Sequence, residues 1–178
     1  MPSPSTKKKL YIIGSLRNEY IPELDKAIRK ECPNIDPFCE WYGAGKTADD
    51  SFKEYHKGIG RTYREALRSA SGRHIFNFDK YHLDNSDGAI LVFPAGKSCH
   101  LEAGYMVGTG KPVYALFPEG EPDDRFELMM QFLTEIFYSE RELLDYLNKP
   151  TEINQPGQSP NFYSNCAVSG DYHPVLAE

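Results

Sequence analysis

Apolar residues along this chain gather into short unbroken runs, separated by longer stretches in which they recur at helical spacing. Leu10-Tyr11-Ile12-Ile13 is the first run, stopped by Gly14-Ser15. A short apolar run closed by small residues predicts a buried strand, and the apolar spacing over Glu19 to Lys30 predicts a helix after it. Phe38 to Tyr42 reads as a second strand. Gly43 to Lys57 is polar, acidic and aromatic, and reads as a long loop of the kind that often carries function. Arg61 to Ala70 predicts a helix broken near Ser71-Gly72, and Arg73 to Leu83 predicts another. Gly88 to Phe93 is the clearest strand, ending at Pro94-Ala95-Gly96. A helix over Cys99 to Gly108, a strand over Pro112 to Phe117, a helix over Phe126 to Leu133 and a strand over Glu135 to Tyr138 follow. Ser139 to Leu147 closes the pattern as a helix, with Ser139 and Glu142 spaced as a capping box.

Strands alternating with helices imply βαβ crossovers, hence a parallel sheet covered by helices on both faces. Ligands of such sheets bind beyond the carboxyl ends of the strands. The segments Gly14 to Asn18, Pro94 to Glu102 and Pro118 to Asp124 therefore carry the functional weight. Residues 1–9, with Lys7-Lys8-Lys9 as a solvated run, read as a disordered lead-in to a single domain over 10–148. From 149 to 178 the composition turns to Pro, Asn, Ser and Gly, which predicts a tail that is either disordered or an extended C-terminal arm lying on this or another subunit.

The 178 residues carry 20 Lys and Arg against 26 Asp and Glu, a net charge of -6. An acidic balance argues against a protein that coats nucleic acid. No apolar run reaches membrane-spanning length, and no apolar signal region follows the N-terminal lysines, so a soluble cytoplasmic protein is expected. Cys32, Cys39, Cys99 and Cys166 form no CxxC pair, as suits free thiols in a reducing compartment. The Cys32–Cys39 spacing could close a loop in an oxidising one. With five scattered histidines and no HExxH, no metal site and no cofactor is expected.

The first strand ends in Gly14-Ser15-Leu16-Arg17-Asn18, which is neither a Walker loop nor GxGxxG. Its small residues let backbone approach a ligand, and Arg17 can grip a phosphate or carboxylate, or be a plain surface arginine. After the central strand, Gly96-Lys97-Ser98 leads into a helix whose free N–H groups suit an anion. Glu102 reads as lying in the first turn of that helix. A glutamate there is commonly a surface acid offsetting the dipole. Its small and apolar neighbours, Leu101, Ala103, Gly104 and Met106, and its place at the crevice favour a nucleophile for a sugar carbon. Upstream, Asp79 and Asp87 stand eight residues apart, too far to share one point. Asp87 reads as a turn residue, and Asp79 as the proton-handling partner of Glu102.

Together the opening YIIGSLR (Tyr11 to Arg17), Asp79 with Ser86-Asp87 before the strand GAILVF, the helix start HLEAGYMVGTG, and Lys111-Pro112-Val113 resemble the nucleoside 2-deoxyribosyltransferase superfamily. That superfamily includes the 2′-deoxynucleoside 5′-phosphate N-hydrolases. The resemblance spans Leu10 to Leu147 and is most specific over Asp79 to Leu116. It implies a doubly wound, Rossmann or flavodoxin-like, five-stranded parallel sheet, assembled as a homodimer or larger homo-oligomer. It also implies Glu102 as the nucleophile on the anomeric carbon and Asp79 as the residue that handles the base or its proton, and substrate contacts are expected from Tyr11, Gly14, Ser15, Arg17, Gly96, Lys97 and Ser98. The transferases commonly carry an acid before the nucleophile that contacts sugar hydroxyls. Here Gly96-Lys97-Ser98 offers none, and with Arg17 it suits a 5′-phosphate better. In the transferases a C-terminal arm completes a neighbour's site, a part for which Asn154, Asn161 and Asn165 are candidates.

The expected function is cleavage of the N-glycosidic bond of a nucleoside or nucleotide through a glycosyl–Glu102 intermediate, the sugar passing to another base or to water. The alternatives are a non-catalytic nucleotide-sensing module on the same fold, and a phosphoribohydrolase. The latter's PGGxGTxxE signature is not matched by Pro94 to Cys99.

Overall fold

The computed structural model of the chain describes residues 7–123 and 127–149. Its strands are β1 (Lys8–Ile13), β2 (Ile35–Phe38), β3 (Gly88–Val92), β4 (Val113–Leu116) and β5 (Glu135–Phe137). All pair in parallel, in the order β2-β1-β3-β4-β5. Its helices are α1 (Ile21–Glu31), α2 (Ala48–Gly58), α3 (Tyr63–Leu67), α4 (Ala70–Asp84), α5 (Lys97–Gly108) and α6 (Glu140–Leu147). This is a doubly wound, flavodoxin-like α/β fold. Its strand order reverses between β1 and β3, the point where such sheets open a crevice for ligands.

The period of two along each strand divides the core. Leu10, Ile12, Ile90, Val92, Tyr114 and Leu116 face one side, buried with Ile21, Leu24 and Ile28 of α1 and Leu143, Leu144 and Leu147 of α6. Tyr11, Ile13, Ala89, Leu91 and Val113 face the other, with Leu83 of α4 and Cys99, Ala103 and Met106 of α5. The helices α4 and α5 therefore share the face that Tyr11 points into. Each buried Leu or Ile contributes about 1.5–3 kcal/mol.

The structure corrects several boundaries. β1 begins at Lys8, inside the expected lead-in, because Lys8 and Lys9 pair through their backbone with Ile35 and Asp36. The second strand is Ile35–Phe38, not Phe38 to Tyr42. Its pairing stops at Phe38, opposite Tyr11, and the Trp41 indole then donates to the Ile12 carbonyl at 2.9 Å. That bond holds the chain across the sheet as a 3-10 turn, Glu40–Ala44.

Most of the expected loop Gly43 to Lys57 is α2, with His56 buried and the rings of Phe52 and Tyr55 against it at 4.4 and 5.1 Å. The helix break falls at Arg68-Ser69 rather than Ser71-Gly72. Ser69 caps α4 by accepting from the Gly72 amide at 3.0 Å. The helix expected over Phe126 to Leu133 is a short 3-10 turn, Leu128–Phe132. The C-terminal arm, with Asn154, Asn161 and Asn165, lies outside the described residues. Among the described residues, no helix is long and apolar enough to cross a membrane, and Cys32, Cys39 and Cys99 are free thiols.

Candidate active site

The site begins with a tyrosine in the middle of β1. Tyr11 lies opposite Ala89 of β3, whose small side chain leaves its ring room, and it packs on Phe38 of β2 at 5.3 Å. Its ring is buried, and its hydroxyl donates to Asp79 Oδ1 of α4 at 3.4 Å. Burial and the negative charges of Glu102 and Asp79 push the phenol far above its ordinary range, so it stays a neutral donor.

Glu102 reaches the same point from α5. Contrary to the sequence expectation, it is in the second turn, because the helix starts at Lys97 and has no acid in its first turn. A carboxylate there is beyond the strongest field of the helix N-terminus. The dipole-compensating surface role loses its basis. Burial, and then the charge of Asp79, push the Glu102 carboxyl up to about 7. Burial also raises the Asp79 carboxyl, against the opposing hydrogen bond from Tyr11. Two carboxyls in one low-dielectric place resist joint ionisation, which makes Glu102 the acid that keeps its proton up toward neutral pH.

The remaining predicted residues line the strand ends. Gly14 is needed for packing, since a Cβ there would come within 2.4 Å of the buried Ile21 side chain. Ser15 is used by its own turn. Its hydroxyl accepts from the Arg17 amide at 3.2 Å and its carbonyl from the Asn18 amide at 2.9 Å. Asn18 then donates to the Phe93 carbonyl at 3.3 Å, tying the loop after β1 to the end of β3. Arg17 is exposed and paired with Asp50 of α2 at 2.8 Å. Gly96 caps α5 without a side chain. Its carbonyl accepts from His100 Nδ1 at 2.8 Å, which places that ring's proton on Nδ1. Lys97 and Ser98 are exposed in the first turn. The structure thus brings Tyr11, Asp79 and Glu102 together, and leaves Arg17, Lys97 and Ser98 on the rim without mutual contact.

Sequence reasoning missed the acids of α2. Asp50 engages Arg17, and Asp49 is near enough to Cys99 for its charge to act on that thiol. The signal for the helix that carries them was present, since Phe52, Tyr55, His56 and Ile59 follow i, i+3, i+4, i+7. Asp87 takes the turn role expected of it, exchanging bonds with the Lys9 backbone at 2.8 Å. A cavity of about 480 Å³ lies elsewhere, between the far side of α5 and the Leu128–Phe132 turn, lined by Leu91, Ala103, Val107, Met130 and Leu133. Neither Asp79 nor Glu102 lines it. No group of three or more His, Cys, Asp or Glu among the described residues could hold a metal ion.

Fold and site define a doubly wound α/β protein in which Asp79 and Glu102 come together beside the buried Tyr11. No family model and no curated protein matches the chain. Among solved structures it is similar to a conserved protein from Enterococcus faecalis V583, with a TM-score of 0.58 and 16% identity over 82% of this chain and 100% of that one. At that identity the likeness concerns the fold alone.

Proposed function

We propose that the protein cleaves the N-glycosidic bond of a 2′-deoxynucleoside or its 5′-monophosphate, with Glu102 as nucleophile and Asp79 as its proton partner. The observation that supports this most is the Tyr11–Asp79–Glu102 cluster, in which burial and like charge hold one carboxyl near 7. A carboxyl strongly perturbed by burial and a specific charged neighbour beside a ligand crevice is a candidate for a functional site. In the proposed reaction the proton held by Glu102 passes to Asp79. A Glu102 oxygen then bonds to the anomeric carbon as the carbon–nitrogen bond breaks, and the departing base takes the proton from Asp79. Water or a second base next attacks the same carbon and gives its proton to Asp79, and Glu102 leaves as a carboxylate. Tyr11 holds Asp79 in place throughout.

Ile75 and Phe76 are exposed one turn before Asp79 on α4, and supply apolar surface for a base. The amides opening α5, with Lys97 and Ser98, suit a phosphate. Arg17 has donors beyond the one that Asp50 occupies. The test is a panel of nucleosides and 5′-monophosphates, with and without free acceptor base, resolved by chromatography for wild type and Arg17→Ala. Free base released from a deoxynucleotide, with a monophosphate preference that shrinks in Arg17→Ala, is expected. Binding of nucleotides without any turnover would replace this reading with the sensing module.

A further inference from the structure

Asp79 and Glu102 sit on different helices, so their separation depends on whatever holds α4 against α5. Among the described residues, one side chain makes hydrogen bonds directly across that gap. Tyr105, three residues after Glu102, accepts from Lys80 Nζ at 3.0 Å and donates to Asp84 Oδ1 at 2.5 Å. Lys80 also donates to Asp84 Oδ2 at 2.6 Å and lies 5.1 Å from the centre of the Tyr105 ring. The Lys80–Asp84 pair is an i, i+4 contact within α4 and by itself binds nothing to α5. The phenol oxygen converts it into a bridge. Lys80 and Tyr105 hold the Asp84 carboxyl below its ordinary range, so the bridge keeps its charge at neutral pH. Just beyond it, Lys111 donates to the Leu83 and Asp84 carbonyls at 2.8 and 2.6 Å, fixing the end of α4 to the chain that follows α5.

We propose that Tyr105, gripped by Lys80 and Asp84, sets the spacing of α4 and α5 and thereby positions Asp79 against Glu102. The spacing role stands on these contacts alone, and the catalytic consequence rests on the function proposed above. Tyr105 is then a positioning residue. Its hydroxyl is the specific requirement, since phenylalanine keeps the ring and loses both bonds. The groups facing Glu102 are Asp79 from α4, Tyr11 from β1 and Cys99 from its own helix. A wider gap admits water and weakens the Asp79 charge, so Glu102 should then titrate closer to an ordinary glutamate.

The test is carboxyl carbon NMR titration of the full chain for wild type, Tyr105→Phe and Lys80→Met, with Glu102 assigned from Glu102→Gln. The wild-type midpoint is expected at about 7. In Tyr105→Phe it should fall by about 0.5 in pH or more, and less far in Lys80→Met. Turnover of whichever substrate the panel identifies should drop roughly ten- to a hundredfold in Tyr105→Phe, with KM little changed. An unmoved midpoint in folded Tyr105→Phe overturns the clamp, even if wild type turns substrate over. A moved midpoint with no wild-type turnover keeps the clamp and removes the glycosidic reading. Should Tyr105→Phe fail to fold, Lys80→Met carries the same comparison, and an unmoved midpoint there overturns the clamp equally.

Discussion

Replacing Glu102 by glutamine should stabilise this protein above neutral pH, because the native site holds its carboxyl as an acid against water's preference for the anion. The carboxyl titrates at about 7 in the folded chain against 4.5 for an ordinary glutamate. The folded form therefore binds the proton more tightly than the unfolded form. The resulting stability is fully present below about 4.5 and is lost as pH rises through about 7. Each pH unit between the two values is worth about 1.36 kcal/mol, which gives about 2–3 kcal/mol for Glu102 after allowing for its incomplete burial. Glutamine carries no such charge and keeps a similar shape. The advantage of Glu102→Gln over wild type should thus grow by about 2–3 kcal/mol between pH 4.5 and pH 8. For a domain of this size that corresponds to a gain of roughly 5–10 °C in Tm. Thermal unfolding of both proteins by circular dichroism at half-unit steps from pH 4.5 to 8.5 measures it. A stability difference that does not change with pH, or a glutamine variant less stable than wild type at pH 8, would refute the buried-acid account of Glu102.

Asp79→Asn should leave substrate binding intact and depress the chemical step by roughly 10²–10⁴-fold, read as a fall in kcat at constant KM. A change in KM alone would make Asp79 a binding residue. Gly72→Ala should destabilise the fold by about 1–3 kcal/mol, because its Cβ would lie 2.6 Å from the Ala66 carbonyl oxygen and 3.0 Å from that of Leu67. Urea unfolding checks this, and an unchanged midpoint would mean that α3 and α4 can separate freely. Leu101, Leu128, Met129 and Phe132 are each about two-thirds exposed or more, at 77%, 68%, 69% and 66%. Apolar surface of this kind marks contact sites, so light scattering should find a homo-oligomer that Leu101→Lys shifts toward monomer.

The parts of this protein written in local pattern were legible in its sequence. The runs LYII and GAILVF become the two central strands, and their period of two decides that Tyr11 faces the helices bearing Asp79 and Glu102. Glu102 was legible because its neighbours Leu101, Ala103, Gly104 and Met106 are small or apolar, and Asp79 because Asp87, eight residues on, belongs to the turn before β3. The turn occupied by Glu102 was not, since Gly96 caps α5 without a side-chain signal and Pro94-Ala95-Gly96 reads as loop in any register. At Ser139 the cap is present, with Glu142 donating its amide to Ser139 Oγ. The Glu142 side chain instead accepts from the Tyr138 amide at 2.9 Å, one residue earlier than a capping box predicts. The complete capping box is at Thr62 and Glu65. Long-range pairs such as Arg17 with Asp50, and Tyr105 with Asp84, depend on how helices cross the sheet. Nothing in the local pattern announces them.

The most direct test of the proposed mechanism is the mass of the protein itself during turnover. Wild type mixed with the best deoxynucleotide of the panel, quenched in acid within the first turnover and digested, should yield a peptide spanning Glu102 heavier by one deoxyribosyl (or phosphodeoxyribosyl) group. The same peptide from Glu102→Gln should be unmodified. Free base released by wild type with no labelled peptide at any quench time, or with the label on a residue other than Glu102, would contradict the assignment of Glu102 as nucleophile.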